Sequence, residues 1–273
     1  MALFMNDTKV KSVYWNDVKA KKVYFNDVLV LSGEFAFTYT GAYDVEGDLG
    51  GNFVIRFKTS GTLIITDEGK ASSLDVFLVG GGGGGDRGTT SGTGHSSGGG
   101  GGGYTATHSS VAINTSVPYP ITVGAGGAGG KLEYGTATDG GQTTAFGKTV
   151  NGGKKTFLKY SPIDAAGGGD GGSGGGTAYI NSSYQARDGG IDGGDGAGRY
   201  PGKGQGTTTK EFGTGKLYST GGKGGIPTKH AGDSAAVNTG DGGEGGGRTN
   251  GGTADMVPGG SGGSGIVCIR NHR

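Results

Sequence analysis

The chain has 273 residues, of which 70 are glycine and only 31% are hydrophobic, so a conventional apolar core can occupy only part of it. Its formal net charge is +1 and its basic residues are dispersed among acidic ones, which argues against a nucleic-acid-binding surface. The single cysteine, Cys268, excludes an intrachain disulfide framework, and no apolar run is long enough to span a membrane. The N-terminus lacks the basic and apolar regions of a signal peptide, so we expect synthesis in a cytoplasm.

Residues 1–33 contain a ten-residue repeat in which a short apolar or aromatic run is followed by Asn-Asp. Asn-Asp suits a two-residue turn, so the repeat predicts three small β-hairpins or a short β-coil. Units of this size cannot bury their own aromatic residues, which predicts attachment to a partner or to further copies of the chain. The candidate attachment residues are Tyr14, Trp15, Tyr24 and Phe25.

From residue 34 onward, alternating apolar and polar residues predict β-strands. The predicted strands are 35–39, 53–57, 62–66, 74–79, 111–113, 121–123 and 266–269. Cys268 lies in the last of these and is expected to be buried. We predict an all-β base, a sandwich or a sheet with almost no α-helix, formed by residues 34–79, 104–123 and 266–273.

The remaining sequence, residues 80–265, repeats two glycines and a small or polar residue with period three, most clearly in 167–176. Glycine disfavours α-helix and leaves a strand without side chains to pack. A threefold helix of the polyproline II type fits this period, and its free N–H and C=O groups require neighbouring helices as partners. We therefore predict a bundle of polyglycine II rods inserted into the β base, while a flexible, disordered tract is the alternative.

If rods alternate in direction, the loops at the end remote from the base are 86–97, 131–166, 199–219 and 248–257, and the near loops are 177–187 and 226–238. An additional short rod near residues 151–153 would invert part of this order. The far loops contain most of the large side chains, which favours a binding surface. The candidate receptor-binding residues are Tyr134, Phe157, Tyr160, Tyr200, Lys203, Lys210, Phe212, Tyr218 and Met256. Any of the aromatic residues could instead fill gaps between rods.

No catalytic or metal-binding motif stands out. The many Gly-x-Gly-x-x-Gly matches do not sit between a strand and a helix, and the four histidines lack zinc spacing. We predict no enzymatic activity, no cofactor and no metal site. Calcium between rods remains an open alternative, through Asp170, Asp192, Asp195, Asp241 or Glu244.

Three passages taken together resemble the glycine-rich domain of bacteriophage tail proteins. They are Leu74–Val79 followed by six glycines, the run 121–130, and the run 259–267. The opening repeat is similar to those that begin tail-fibre and minor tail proteins. The glycine runs resemble the polyglycine II sandwich of tail-fibre tip adhesins, in which loops at one end of the rods contact the host receptor.

The resemblance implies a virion component, at the tail tip or tail fibre, that recognises a bacterial outer-membrane protein or surface glycan. It also implies other phage tail or fibre proteins as partners, and a homotrimer is a further expectation. The alternative is a structural tail-fibre component or assembly chaperone without receptor contact. An ice-binding protein is a third reading, disfavoured because the positions between glycine pairs hold Asp, Lys, Glu and Ser.

Overall fold

The computed structural model describes residues 33–87, 96–131, 136–156, 168–176, 210–226, 228, 230–247 and 257–271, and the backbone of short strands within 4–32 and 179–184. The chain is all-β and its sheets are antiparallel. The strands are β1 (Phe4–Met5), β2 (Thr8–Lys9), β3 (Tyr14–Trp15), β4 (Val18–Lys19), β5 (Lys22–Phe25), β6 (Val28–Ser32), β7 (Ala36–Tyr39), β8 (Tyr43–Gly47), β9 (Phe53–Phe57), β10 (Gly61–Asp67), β11 (Ser73–Val79), β12 (Thr105–Ala112), β13 (Pro118–Ile121), β14 (Thr143–Ala145), β15 (Lys148–Val150), β16 (Tyr179–Ile180), β17 (Ser183–Tyr184) and β18 (Ile266–Asn271).

The N-terminal repeat forms three separate two-stranded sheets, β1-β2, β3-β4 and β5-β6. Met5 pairs with Thr8, Trp15 with Val18 and Phe25 with Val28. The two residues between the strands are Asn and Asp in every copy. The prediction of three hairpins is therefore confirmed.

Two sheets form the base of the molecule. A five-stranded sheet has the order β12-β11-β18-β9-β8, and a three-stranded sheet has the order β13-β10-β7. Alternate residues of the strands face the space between the two sheets, where Ile55, Leu63, Val76 and Ile269 are fully buried. The base is thus a sandwich whose core comes from the predicted strands, and the alternation that marks them in the sequence is the alternation of core and outer face.

Rods extend from one edge of this sandwich. Rod 80–87 continues β11, rod 96–103 leads into β12, rod 124–131 follows β13, and rod 257–265 leads into β18. The other described rods are 136–142, 151–156, 168–171, 173–176, 219–226, 230–236 and 240–247. We call the rod ends remote from the sheets the far end.

Hydrogen bonds of rod 80–87 follow a strict period of three. Its N–H groups donate in turn to the carbonyl groups of three rods that run in the opposite direction. Gly80 and Gly83 donate to Tyr104 and Gly101 of the first rod, Gly81 and Gly84 donate to Gly141 and Thr138 of the second, and Gly82 and Gly85 donate to Gly263 and Gly260 of the third. Its carbonyl groups accept in turn from three rods that run in the same direction, 151–156, 124–131 and 240–247. Six neighbours thus surround one rod, which is the hexagonal packing of polyglycine II.

Rod 96–103 is the second rod enclosed in this way. Its N–H groups donate to rods 151–156, 173–176 and 240–247, and its carbonyls accept from 80–87, 168–171 and 219–226. These two rods contain the chain's two uninterrupted six-glycine runs, 80–85 and 98–103. Rods that face solvent on one side can carry a side chain at every third position. Ala125 and Ala128, three residues apart in rod 124–131, are exposed in this way.

The enclosed rods require glycine because each Cα lies against a neighbouring carbonyl. A Cβ at Gly82 would lie 1.9 Å from the carbonyl oxygen of Asp241, and one at Gly83 would lie 2.1 Å from that of Lys154. No side chain fits at such distances. A run of six glycines therefore marks a rod that has neighbours on all sides.

The predicted order of near and far loops is wrong in three places. Residues 131–166 contain two further rods, 136–142 and 151–156, with the β14-β15 hairpin at the base between them. The predicted single rod 167–176 reverses direction at 171–173, where Gly175 N–H bonds back to the carbonyl of Gly169. A returning rod, 230–236, lies within the predicted near loop 226–238. Two of these errors come from short rods without regular glycine spacing, and the third comes from a turn inside a regular glycine run.

Candidate functional site

The far end gathers the connections between rods. Described rods end there at Arg87, Lys131, Thr156, Ile226 and Gly247, and others begin at Ser96, Thr136, Gly168, His230 and Val257. The sequences that join them are 88–95, 132–135, 157–167, 227–229 and 248–256, of which the structure describes only Thr228. One end of the bundle therefore carries five connections on a hydrogen-bonded scaffold.

Most of the candidate receptor-binding residues belong to segments outside the described residues. These are Tyr134, Phe157, Tyr160, Tyr200, Lys203 and Met256. Of these, Tyr134, Phe157, Tyr160 and Met256 belong to connections that start and finish at the far end. The attachment candidates Tyr14, Trp15, Tyr24 and Phe25 belong to strands β3 and β5, whose side chains also lie outside the description.

Lys210, Phe212 and Tyr218 lie at the base instead of the far end, in a loop of residues 210–219 that we call the base loop. Tyr218 is only 1% exposed and packs against Phe77, with ring centroids 5.7 Å apart. It covers an apolar patch of Phe77, Val79, Ile266 and Cys268 on the outer face of the five-stranded sheet, opposite the sandwich core. Burial raises the pKa of both the Tyr218 phenol and the Cys268 thiol. Tyr218 is thus a packing residue, and the prediction that Cys268 is buried is confirmed.

A buried ion pair fastens the base loop to the sheet. Glu211, 4% exposed, accepts two hydrogen bonds of 2.8 Å from Nε and Nη2 of Arg56 on β9. Arg56 Nη1 also donates to Glu46 on β8, at 2.6 Å. The hydrogen bonds to Glu211 are the main cause of the raised pKa of Arg56. This two-bond geometry fixes the planes of both groups.

A second ion pair lies beside the first on the same face. Arg270 on β18 donates through Nε to Oδ2 of Asp75 on β11 at 3.0 Å, and its Nη2 lies 3.0 Å from the same oxygen. Asp75 is 2% exposed and also accepts from the N–H of Ser110. The Arg270 guanidinium lies 4.5 Å above the ring of Phe212, a cation–π contact. Phe212 therefore orients an arginine at the surface.

An open pocket of about 490 Å³ adjoins these pairs at the end of the outer face remote from the rods. Glu46, Val54, Asp75 and Arg270 line it, with Asn52 and Asn271 at its margin. Asn271 is held by Phe53 N–H and by the Gly51 carbonyl.

Acidic residues between the rods are mostly used in internal contacts. Asp241 accepts from the N–H of Thr220, and Asp86 from that of Arg87. Burial raises the pKa of both carboxyl groups. No three His, Cys, Asp or Glu side chains of the described segments lie together as a metal site would need. No helix in the described part of the chain is long and apolar enough to cross a bilayer.

Sequence reasoning missed the four charged residues that form these two ion pairs, Arg56, Asp75, Glu211 and Arg270. The signal for three of them is present, because Arg56, Asp75 and Arg270 interrupt apolar runs at positions that alternate with the core. Glu211 has no such signal, since its partner Arg56 is far away in the sequence.

Comparison with known proteins agrees with this architecture. No curated protein matches the chain. A family model described as a glycine-rich domain matches residues 58–272, from the end of β9 through every described rod to β18. The chain therefore belongs to the glycine-rich domain family.

Proposed function

We propose that the protein is a receptor-binding protein of a bacteriophage tail, which recognises a bacterial outer-membrane protein or surface glycan. The observation that carries the proposal is the bundle of hydrogen-bonded rods, which brings five connections to one end of the molecule. Such a scaffold allows connections of different sequence to be displayed without changing the fold. The protein would act in the virion, with other tail proteins as partners.

Binding to whole cells tests this function directly. Fluorescently labelled protein is applied to a panel of bacterial strains, with unlabelled protein as competitor. Saturable binding that differs between strains is expected. A variant with Tyr134, Phe157 and Tyr160 changed to Ser should lose it, whereas Val237→Ser, which alters a residue 76% exposed at the base, should not. Absence of saturable binding to every strain would count against an adhesin.

A structural or assembly role is the second candidate, and the N-terminal hairpins favour it. Each is a separate two-stranded sheet, a size that is marginally stable alone and suits docking on another protein. In that case, deletion of residues 1–33 would abolish incorporation into tails, and the intact protein would not bind cells. An adhesin without residues 1–33 would still bind cells.

A further inference from the structure

The pocket on the outer face has the size and composition of a ligand site. Its volume of about 490 Å³ lies within the range of small-molecule pockets, and a few polar groups converge on it. Val54 provides a small apolar floor between Glu46 and Arg270. The pocket belongs to the base and is separate from the far-end connections.

The polar groups of the pocket are held in place before any ligand arrives. Arg270 is fixed from one side by Asp75 and from the other by the ring of Phe212. Glu46 is held by Arg56, which is itself held by the buried carboxylate of Glu211. The base loop therefore orients both charged walls of the pocket. Groups fixed in this way lose little conformational entropy on binding.

Hydrogen-bonding capacity remains on these same groups. Within the described part of the chain, Arg270 Nη1, Glu46 Oε1 and the Asn52 side-chain amide make no hydrogen bond. They offer both donors and acceptors. The walls carry charges of both signs, which disfavours a strongly charged ligand.

A peptide ligand fits this surface poorly. β9, β18 and β11, which contribute Val54, Arg270 and Asp75, lie inside the five-stranded sheet, so their backbone groups are paired and cannot accept an added strand. The other apolar lining residue, Phe53, is 3% exposed and leaves no deep pocket for an anchoring side chain. The pocket also includes Glu46 and Gly47 of the edge strand β8, whose unpaired side faces away from β9 and so away from the other lining residues. Recognition must therefore rely on side-chain hydrogen bonds.

We propose that this pocket binds a neutral polyhydroxylated ligand, one hexose unit of a bacterial surface glycan. A sugar hydroxyl both donates and accepts, and a sugar ring also presents C–H groups to an apolar floor such as Val54. The identification of the glycan as bacterial rests on the proposed function. The proposal that the pocket binds a hexose does not rest on that function, because it follows from the groups in the pocket alone.

The test uses the full-length chain and a panel of neutral methyl glycosides of common hexoses, titrated by protein-observed NMR. Saturable binding with a dissociation constant on the order of 1 mM is expected for at least one glycoside. Glu46→Gln should weaken it at least about tenfold, since a hydrogen bond to a charged group is lost. Arg270→Lys should weaken it similarly. The matched control is Asp44→Asn, on the same strand and the same face but outside the pocket, which should change binding less than about twofold.

The absence of saturable binding to any glycoside would overturn the proposal, and so would binding that Glu46→Gln and Arg270→Lys leave unchanged in folded protein. Binding of an unstructured peptide at the pocket with no sugar binding would also overturn it. The cell-binding assay is independent of this result. If the protein binds cells in a strain-selective way but binds no glycoside in this pocket, the sugar proposal is wrong and the adhesin function is still supported.

Discussion

Single side chains on the outer face of the five-stranded sheet connect the rods to the base. Arg56 illustrates this, because it joins β9 to Glu211 of the base loop, and this loop leads directly into rod 219–226. Removing one partner of a buried ion pair leaves the other charge buried without compensation. Side chains of the outer face therefore hold the base loop, and with it rod 219–226, against the five-stranded sheet.

We predict that Arg56→Met lowers the free energy of unfolding by about 3–5 kcal/mol, because it leaves the Glu211 carboxylate unpaired. The matched control is Lys58→Met on the same face, which removes an exposed pair with Asp44 and should cost less than about 1 kcal/mol. Urea unfolding followed by circular dichroism gives both values. Equal losses in the two variants would contradict a special role for the buried pair.

Asp86 and Asp241 predict a pH dependence of stability. Burial raises the pKa of both carboxyl groups in the folded state above the ordinary 3.8, so the folded state binds these protons more tightly than the unfolded state does. Their contribution to stability is therefore complete below pH 3.8 and is lost as the pH rises through the folded-state pKa. The double variant Asp86→Asn/Asp241→Asn should raise the melting temperature relative to the natural chain more at about pH 7 than at about pH 4. An equal difference at both pH values would refute this.

At the scale of elements, the two enclosed rods are the least tolerant of change. Gly83→Ala would place a methyl group 2.1 Å from the Lys154 carbonyl oxygen, so neighbouring rods would have to separate. We expect a loss of at least about 3 kcal/mol, at the upper end of overpacking costs. Ala128→Ser, on a solvent-facing position of an outer rod, is the control and should cost less than about 0.5 kcal/mol. Comparable urea midpoints for the two variants would be evidence against the hexagonal packing.

The elements differ in how much of them the sequence predicts. Alternation identified β9, β10, β11 and β18, because one face of each lies in the core. It missed β8, whose residues are all exposed, because the apolar contrast there is weak. The glycine period predicted rods at the runs 80–85 and 98–103, although not that these are the enclosed ones, whereas rods 136–142 and 230–236 escaped because side chains are allowed wherever a rod faces solvent. The two missed rods within 131–166 cancel in direction, so rod 168–171 runs toward the base as predicted, whereas rod 219–226 runs away from the base, opposite to its predicted direction.

The candidate site was less predictable than the fold. Phe212 and Tyr218 were assigned to the far end on the direction of rods, and this prediction failed when additional rods changed the order. Their actual partners, Arg270 and Phe77, come from distant parts of the sequence and meet only in the assembled sheet. Local patterns carry no information about such pairs.

At the scale of the whole molecule, the two ends of the rods should respond differently to mutation. Replacing residues 88–95 with a glycine-serine segment of equal length leaves the rod hydrogen bonds in place, so the melting temperature should change by less than about 2 °C. Strain-selective cell binding should change if this connection contacts the receptor. Differential scanning fluorimetry and the cell-binding assay measure the two effects separately.

The turn at residues 237–239, which joins two rods at the base, provides the comparison with the far-end replacement. Asn238 adopts a positive φ of 58° and donates through Nδ2 to the carbonyls of Lys58 and Gly265, joining the rod turn to the sandwich. Asn238→Ala should destabilise the fold by about 2–3 kcal/mol, since it loses these bonds and places alanine in a left-handed conformation. A larger melting-temperature loss for the far-end replacement than for Asn238→Ala would contradict a rigid bundle with variable connections.

The arrangement of the rods also has a mechanical consequence. Gly33 and Asn271 both lie at the end of the sandwich remote from the rods, so a pull between that end and the far end acts along the rod axes. The bonds between rods lie across these axes, and neighbouring rods would have to slide past one another in shear. Many hydrogen bonds must then break together, so the bundle should resist extension along the rod axes.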